Sequence, residues 1–132
     1  MRRVAVLVGF IAAAPAVAQT CAGLAGARQI ESDRYVVAYR TRPEKIAVGQ
    51  HFAMDLAVCP RGGQPAPESV RVDAHMPEHR HGMNYRTTVK PAESGRYLAE
   101  GFMFHMPGRW EFIFEVRGAG KTDRVASGVT LE

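Results

Sequence analysis

Cysteine is scarce in this chain: Cys21 and Cys59 are the only two in 132 residues. That count excludes a small fold stapled by several disulfides, and it excludes a four-cysteine zinc site. Long apolar runs are missing too. The longest, VAVLVGFIAAA (4–14), has eleven residues, whereas a membrane-crossing helix needs about 20. No block of like charge occurs, so the basic footprint of a nucleic-acid binder is absent. No segment keeps apolar residues at helical spacing over ten positions, which argues against an all-helical fold.

The short apolar run fits another role. MRR precedes it and AVA (16–18) follows it, which completes the layout of a secretory signal peptide over residues 1–18. Cleavage is expected between Ala18 and Gln19, leaving 114 of the 132 residues, enough for one domain with one core. The formal charge of +4 includes Arg2 and Arg3, so the processed chain carries +2. Thr20 is a poor neighbour for a lipidated Cys21, and no stable membrane anchor is expected after cleavage. For an exported chain the two cysteines have two readings, a disulfide or a pair of thiolate metal ligands. Neither has a second ligand-type residue two or three positions away, which favours the disulfide.

Residues 19–33 are small and polar without sustained period, and are expected to form an irregular lead-in. From residue 34 to 132 the pattern changes to short alternating runs separated by turn residues. HFAMDLAVC (51–59) sets Phe52, Met54, Leu56 and Val58 on one face; SVRVDAHM (69–76) does the same with Val70, Val72, Ala74 and Met76. RWEFIFEVR (109–117) alternates most clearly, with Trp110, Phe112, Phe114 and Val116 directed inward. With 34–41, 85–90, 95–104 and 123–131 this makes about seven strands. The expected fold is all-β: a single immunoglobulin-like antiparallel sandwich.

Chemistry concentrates in HMPEHRHGM (75–83), which holds three of the five histidines and two of the six methionines. Pro77 limits the preceding strand and Gly82 allows a turn, so residues 77–84 are expected to form a loop at one end of the sandwich. His79 and His81 are spaced i, i+2, and in an extended segment their rings share a side, with Met83 in the same parity. A second fragment, HMPG (105–108), repeats the pattern; if both ends share a rim, His105 and Met106 approach the loop.

Imidazole suits several transition metals, but a thioether favours Cu(I), and zinc sites are built from Cys, His and carboxylate. The candidate ligands are therefore His79, His81 and Met83, helped by Met76, His105 or Met106, with a copper ion as cofactor. A blue-copper centre would need a cysteine beside the histidines, and none is there.

Plainer readings stand beside this one. Met76 is in register with core residues, and Met106 beside Pro107 could cap the core under Trp110. Met54 and Met103 are core by pattern. His75 shares a face with Asp73 and would be solvated or paired with it, and His51 begins a strand away from the cluster. The loop itself could be ordinary solvated surface. No motif sets a nucleophile beside a base and an orienting acid, so no catalytic activity is expected.

MPEHRHGM (76–83), FHMPGRWEF (104–112) and PEKIAVGQHFAMDL (43–56) together resemble the YtkA-like domain, small exported bacterial proteins related in pattern to the periplasmic part of FixH-type proteins. The resemblance spans residues 35–118. Where the typical loop reads His-Gly-His-Gly-Met, this chain has Arg80 between the histidines. The resemblance implies an immunoglobulin-like sandwich in the periplasm and an association with copper handling or oxidase assembly. Two functions follow as expectations. One is a periplasmic copper carrier or assembly and homeostasis factor; the other is a metal-free accessory module that binds another periplasmic or inner-membrane protein.

Overall fold

The computed structural model describes Cys21 and residues 23–132. The expected signal peptide (1–18) and its cleavage point lie outside the described residues. Those described form nine strands: β1 Arg28–Glu31, β2 Tyr35–Arg42, β3 His51–Pro60, β4 Ser69–Met76, β5 His81–Gly82, β6 Thr88–Pro91, β7 Arg96–Met103, β8 Gly108–Gly118 and β9 Lys121–Leu131. They make two sheets, ordered β1-β2-β3-β7-β6 and β5-β4-β8-β9. Every pairing is antiparallel. This is the two-sheet sandwich expected from the period-2 runs.

Alternation decides the core. The inward residues of β3, Phe52, Met54, Leu56 and Val58, meet Val70, Val72, Ala74 and Met76 of β4 and Trp110, Phe112, Phe114 and Val116 of β8. All are buried. Aromatic rings fill the end where β3 and β8 begin: Phe52 stacks on Phe102, and Phe104 stacks on Trp110 with ring centres 4.4 Å apart. Burying side chains of this size supplies the main driving force for closing the sheets on each other.

Two strands escaped the sequence pattern. Residues 28–31, expected in the irregular lead-in, form β1 and pair with Val36–Tyr39. Their side chains are mostly exposed, so no alternation marks them. Residues 81–82, expected within a loop, form β5 against His75 and Met76. Only residues 77–80 are turn, closed by the His79 and Arg80 amides donating to the Met76 carbonyl at 3.2 and 2.9 Å.

Cys21 and Cys59 form a disulfide at the far end of β3, where both are buried with Leu24, Ala38 and Ala57. Cys59 lies eight positions along the strand from His51, a separation of about 26 Å at roughly 3.3 Å per residue. The thiolate-ligand reading therefore fails on placement: the cysteines are bonded to each other at the end opposite the histidines.

Candidate metal centre

The sandwich brings all five histidines to one end. His51 begins β3, His75 lies near the end of β4, His79 is in the turn, His81 opens β5, and His105 follows β7. His51 shares this end but not the row of imidazoles: the β3–β7 ladder sets it opposite Met103, two residues before His105, and its ring packs on Tyr85. Sequence spacing hid this, because the ladder joins positions some fifty residues apart.

Three imidazoles form a row. His79 and His81 have ring centres 5.7 Å apart, and His81 and His105 have theirs 5.3 Å apart, each pair tilted by 33°. Two imidazoles sharing a metal at bonds of about 2.0 Å would have ring centres roughly 5–6.4 Å apart, from a tetrahedral to a linear angle. Both spacings fall in that span. His79 and His81 did not need an extended segment to meet; the tight turn folds them together. Arg80 between them is exposed and has φ 55°, the left-handed conformation that glycine takes freely.

Trp110 forms the floor. His81 and His105 both meet its ring in T-shaped contacts, with ring centres 6.0 and 5.4 Å away. Its Nε1–H donates to the Met106 carbonyl at 3.1 Å, which pins the 104–107 connection above the core. Met76 pairs directly with His81 in the β4–β5 ladder, so their side chains share the inner face. It is fully buried, as its register with the core implied, and its Cε lies 2.8 Å from where a Cβ on Gly108 would stand. Met83 and Met106 are half-buried against the same core. The expected ligand residues His79, His81, Met83, His105, Met76 and Met106 thus all lie at this end.

Two nitrogens stand out. Nδ1 of His105 is buried without a hydrogen-bond partner, an arrangement that folded proteins avoid unless something else satisfies the atom. Nδ1 of His81 lies 3.0 Å from the Gly82 carbonyl. When Nδ1 carries the proton and donates there, Nε2 is left with its lone pair, the arrangement by which an outer partner orients a ligating histidine. His75 takes no part in the row. It pairs with Glu111 across β8 at 3.3 Å, not with Asp73, whose carboxylate accepts from the Ala74 amide.

Among the described residues no three His, Cys, Asp or Glu side chains gather in metal-holding geometry. The imidazoles make two neighbouring pairs, not a closed cage. Met76, Met83 and Met106 lie at the same end and would be the protein's own further donors to an ion held by either pair. That donor chemistry fits a soft, low-coordinate ion better than zinc. A cleft of about 360 Å³ runs along β4 beside Thr87 and Val89 and touches this end only at His75 and Gly82.

A model of the YtkA-like family matches residues 31–115. No curated protein matches significantly. Among solved structures, the crystal structure of a DUF4426 family protein from Pseudomonas aeruginosa PAO1 is similar at 12% identity and TM-score 0.51, covering 83% of this chain and 98% of that one. The GAE domain of GGA2p from Saccharomyces cerevisiae aligns at 8% identity and TM-score 0.44, over 81% of this chain and 98% of that domain. At these identities the first likeness speaks to the sandwich fold alone. The family model, by contrast, spans well over half the chain and contains the His-Met turn: this chain belongs to the YtkA-like family.

Proposed function

We propose that this protein binds a single Cu(I) at the histidine end of the sandwich and acts in the periplasm as a copper carrier or assembly and homeostasis factor, without catalysis. His81 and His105 supply the imidazole nitrogens, and His79 flanks them at the exposed side. Met76, Met83 and Met106 supply thioether donors from the core side. The observation that carries this reading is the orphaned Nδ1 of His105, 5.3 Å ring to ring from His81. A buried ring nitrogen without a partner, beside a second imidazole, is a costly arrangement for mere packing. The disulfide is compatible with an exported protein.

The test is titration of the purified protein with Cu(I) against a chromophoric chelator, with native mass spectrometry for stoichiometry. Saturable binding tighter than about 1 μM, or about 8 kcal/mol, is expected. His81→Ala with His105→Ala should abolish it, and Met83→Leu should weaken Cu(I) binding. Absence of saturable binding, or full binding by the double variant, overturns the reading. The metal-free accessory module then becomes the better account, with the exposed Val48 and Tyr85 as its contact residues.

A further inference from the structure

The first residue of β3 stands beside a partner that the site above does not use. His51 lies directly opposite Met103 in the β3–β7 ladder. The next pair inward, Phe52 and Phe102, is buried with rings stacked at 5.0 Å. Side chains alternate along strands, so His51 and Met103 project together from the outer face of the five-stranded sheet. Met103, core by sequence pattern, is only half-buried, and Phe102 takes the core position instead. Directly opposed residues have Cβ atoms about 4.5–5.5 Å apart, close enough for an imidazole and a thioether to meet at one ion.

Tyr85 bounds the pair. Its ring centre is 4.9 Å from that of His51, with the planes at 78°. It comes from the connection between β5 and β6, and β7 lies between β6 and β3 in the sheet. Its side chain therefore reaches His51 across the strand that carries Met103. Segment 86–87 is held close to β7 at Gly101, where a Cβ would collide with the Arg86 carbonyl. The Thr87 hydroxyl also donates to the Val72 carbonyl, which anchors the same segment to β4. The Tyr85 ring is thus placed by anchored backbone, although it is 44% exposed.

The geometry points to a second soft-metal site, made by the His51 imidazole and the Met103 thioether with the Tyr85 ring as its wall, that takes a monovalent d10 cation, Cu(I) or Ag(I). One nitrogen and one thioether suit a low-coordinate soft ion. They do not suit Ca2+ or Mg2+, which require oxygen ligands. The buried Phe52, Phe102 and Phe104 rings separate this outer-face pair from Trp110, on which His81 and His105 rest. The two sites are independent, and this one stands whether or not the histidine row binds copper.

Ag(I), a redox-inert probe, is titrated into protein carrying 13C-methyl methionine, followed by native mass spectrometry and methyl spectra. The parent should take two equivalents, one of which moves the Met103 methyl. Met103→Leu should take one fewer than the parent, and exposed His51→Ala should lose the Met103 shift while its other methyl resonances report an intact fold. His81→Ala with His105→Ala should leave the Met103 shift in place. A Met103 methyl unmoved at saturation, or an unchanged count in Met103→Leu, overturns the second site. Failure of the histidine row alone reads differently: the Met103 methyl moves while those of Met76, Met83 and Met106 stay still.

Discussion

Replacing Cys21 and Cys59 together by alanine separates the anchoring of the lead-in from the proposed metal site. The two residues are 38 apart in sequence, with Cα atoms 6.1 Å apart. In the chain-entropy account, closing a loop of that length contributes about 4 kcal/mol to stability. For a domain of about this size that corresponds to a fall in Tm of about 15 °C. The alanines themselves remove little packing, because the sulfurs sit in a minor cluster with Leu24, Ala38 and Ala57, away from the main core. Urea unfolding followed by the single, fully buried Trp110 reports the loss directly. Since Cys59 is at the opposite end of β3 from His51, Cu(I) stoichiometry should not change. A stability loss below about 1 kcal/mol would refute the loop-entropy reasoning. A folded variant that had lost a copper equivalent would refute the separation of the two ends.

Other perturbations probe the same frame. Asp123 accepts from the Ser32 hydroxyl at 2.6 Å and pairs with Arg34, and these contacts, the Ser32 hydrogen bond foremost, hold its carboxyl below the usual carboxylate range. Its contribution is therefore complete above the unfolded pKa of about 3.9 and is lost as pH falls through the lower folded value; Asp123→Asn should cost on the order of 1 kcal/mol at pH 7 and flatten the acid limb of a stability–pH curve. Gly108→Ala must place a Cβ at φ 120°, 2.8 Å from the Met76 Cε, and should lose about 1–3 kcal/mol in urea unfolding. Trp110→Phe keeps an aromatic on Phe104 but removes the donor to the Met106 carbonyl; it should lose about 1 kcal/mol and weaken Cu(I) binding measurably in the chelator competition.

Inward-facing runs were legible because burial imposes period 2 on them. The alternation of 51–59, 69–76 and 109–117 named the core faces of β3, β4 and β8 correctly. β1 and β5 were not legible, since one is a mostly exposed edge strand and the other is two residues long. The same limit explains Met103. An irregularity between Phe52 and Met54 shifts the β3–β7 register, and Gly101 lies at φ 92° beside it. Such a break moves the next side chains to the other face, so counting alternate residues through 95–104 put Met103 inside. His75 shows a third kind of failure: its partner Glu111 is 36 residues away on a strand whose register no local pattern reveals.

Placement at the ends of strands decided which polar residues came together. His51 starts β3, His105 follows β7, and β8 begins at Gly108, all at the end of the sandwich that Phe104 and Trp110 close. An antiparallel sandwich puts the start of one strand beside the end of the next, so residues remote in sequence share a rim without any motif between them. The turn at 77–80 had to be tight for His81 to face Trp110: β5 then pairs Met76 with His81, and a one-residue slip would move that imidazole to the outer face. Inserting one glycine after Arg80 tests this directly. The insertion is confined to an exposed turn and should leave the core and Tm nearly unchanged, yet it should lower Cu(I) affinity at least tenfold by breaking the His81–His105 pair. Unchanged affinity in a folded insertion variant would mean that β5 register does not set the site.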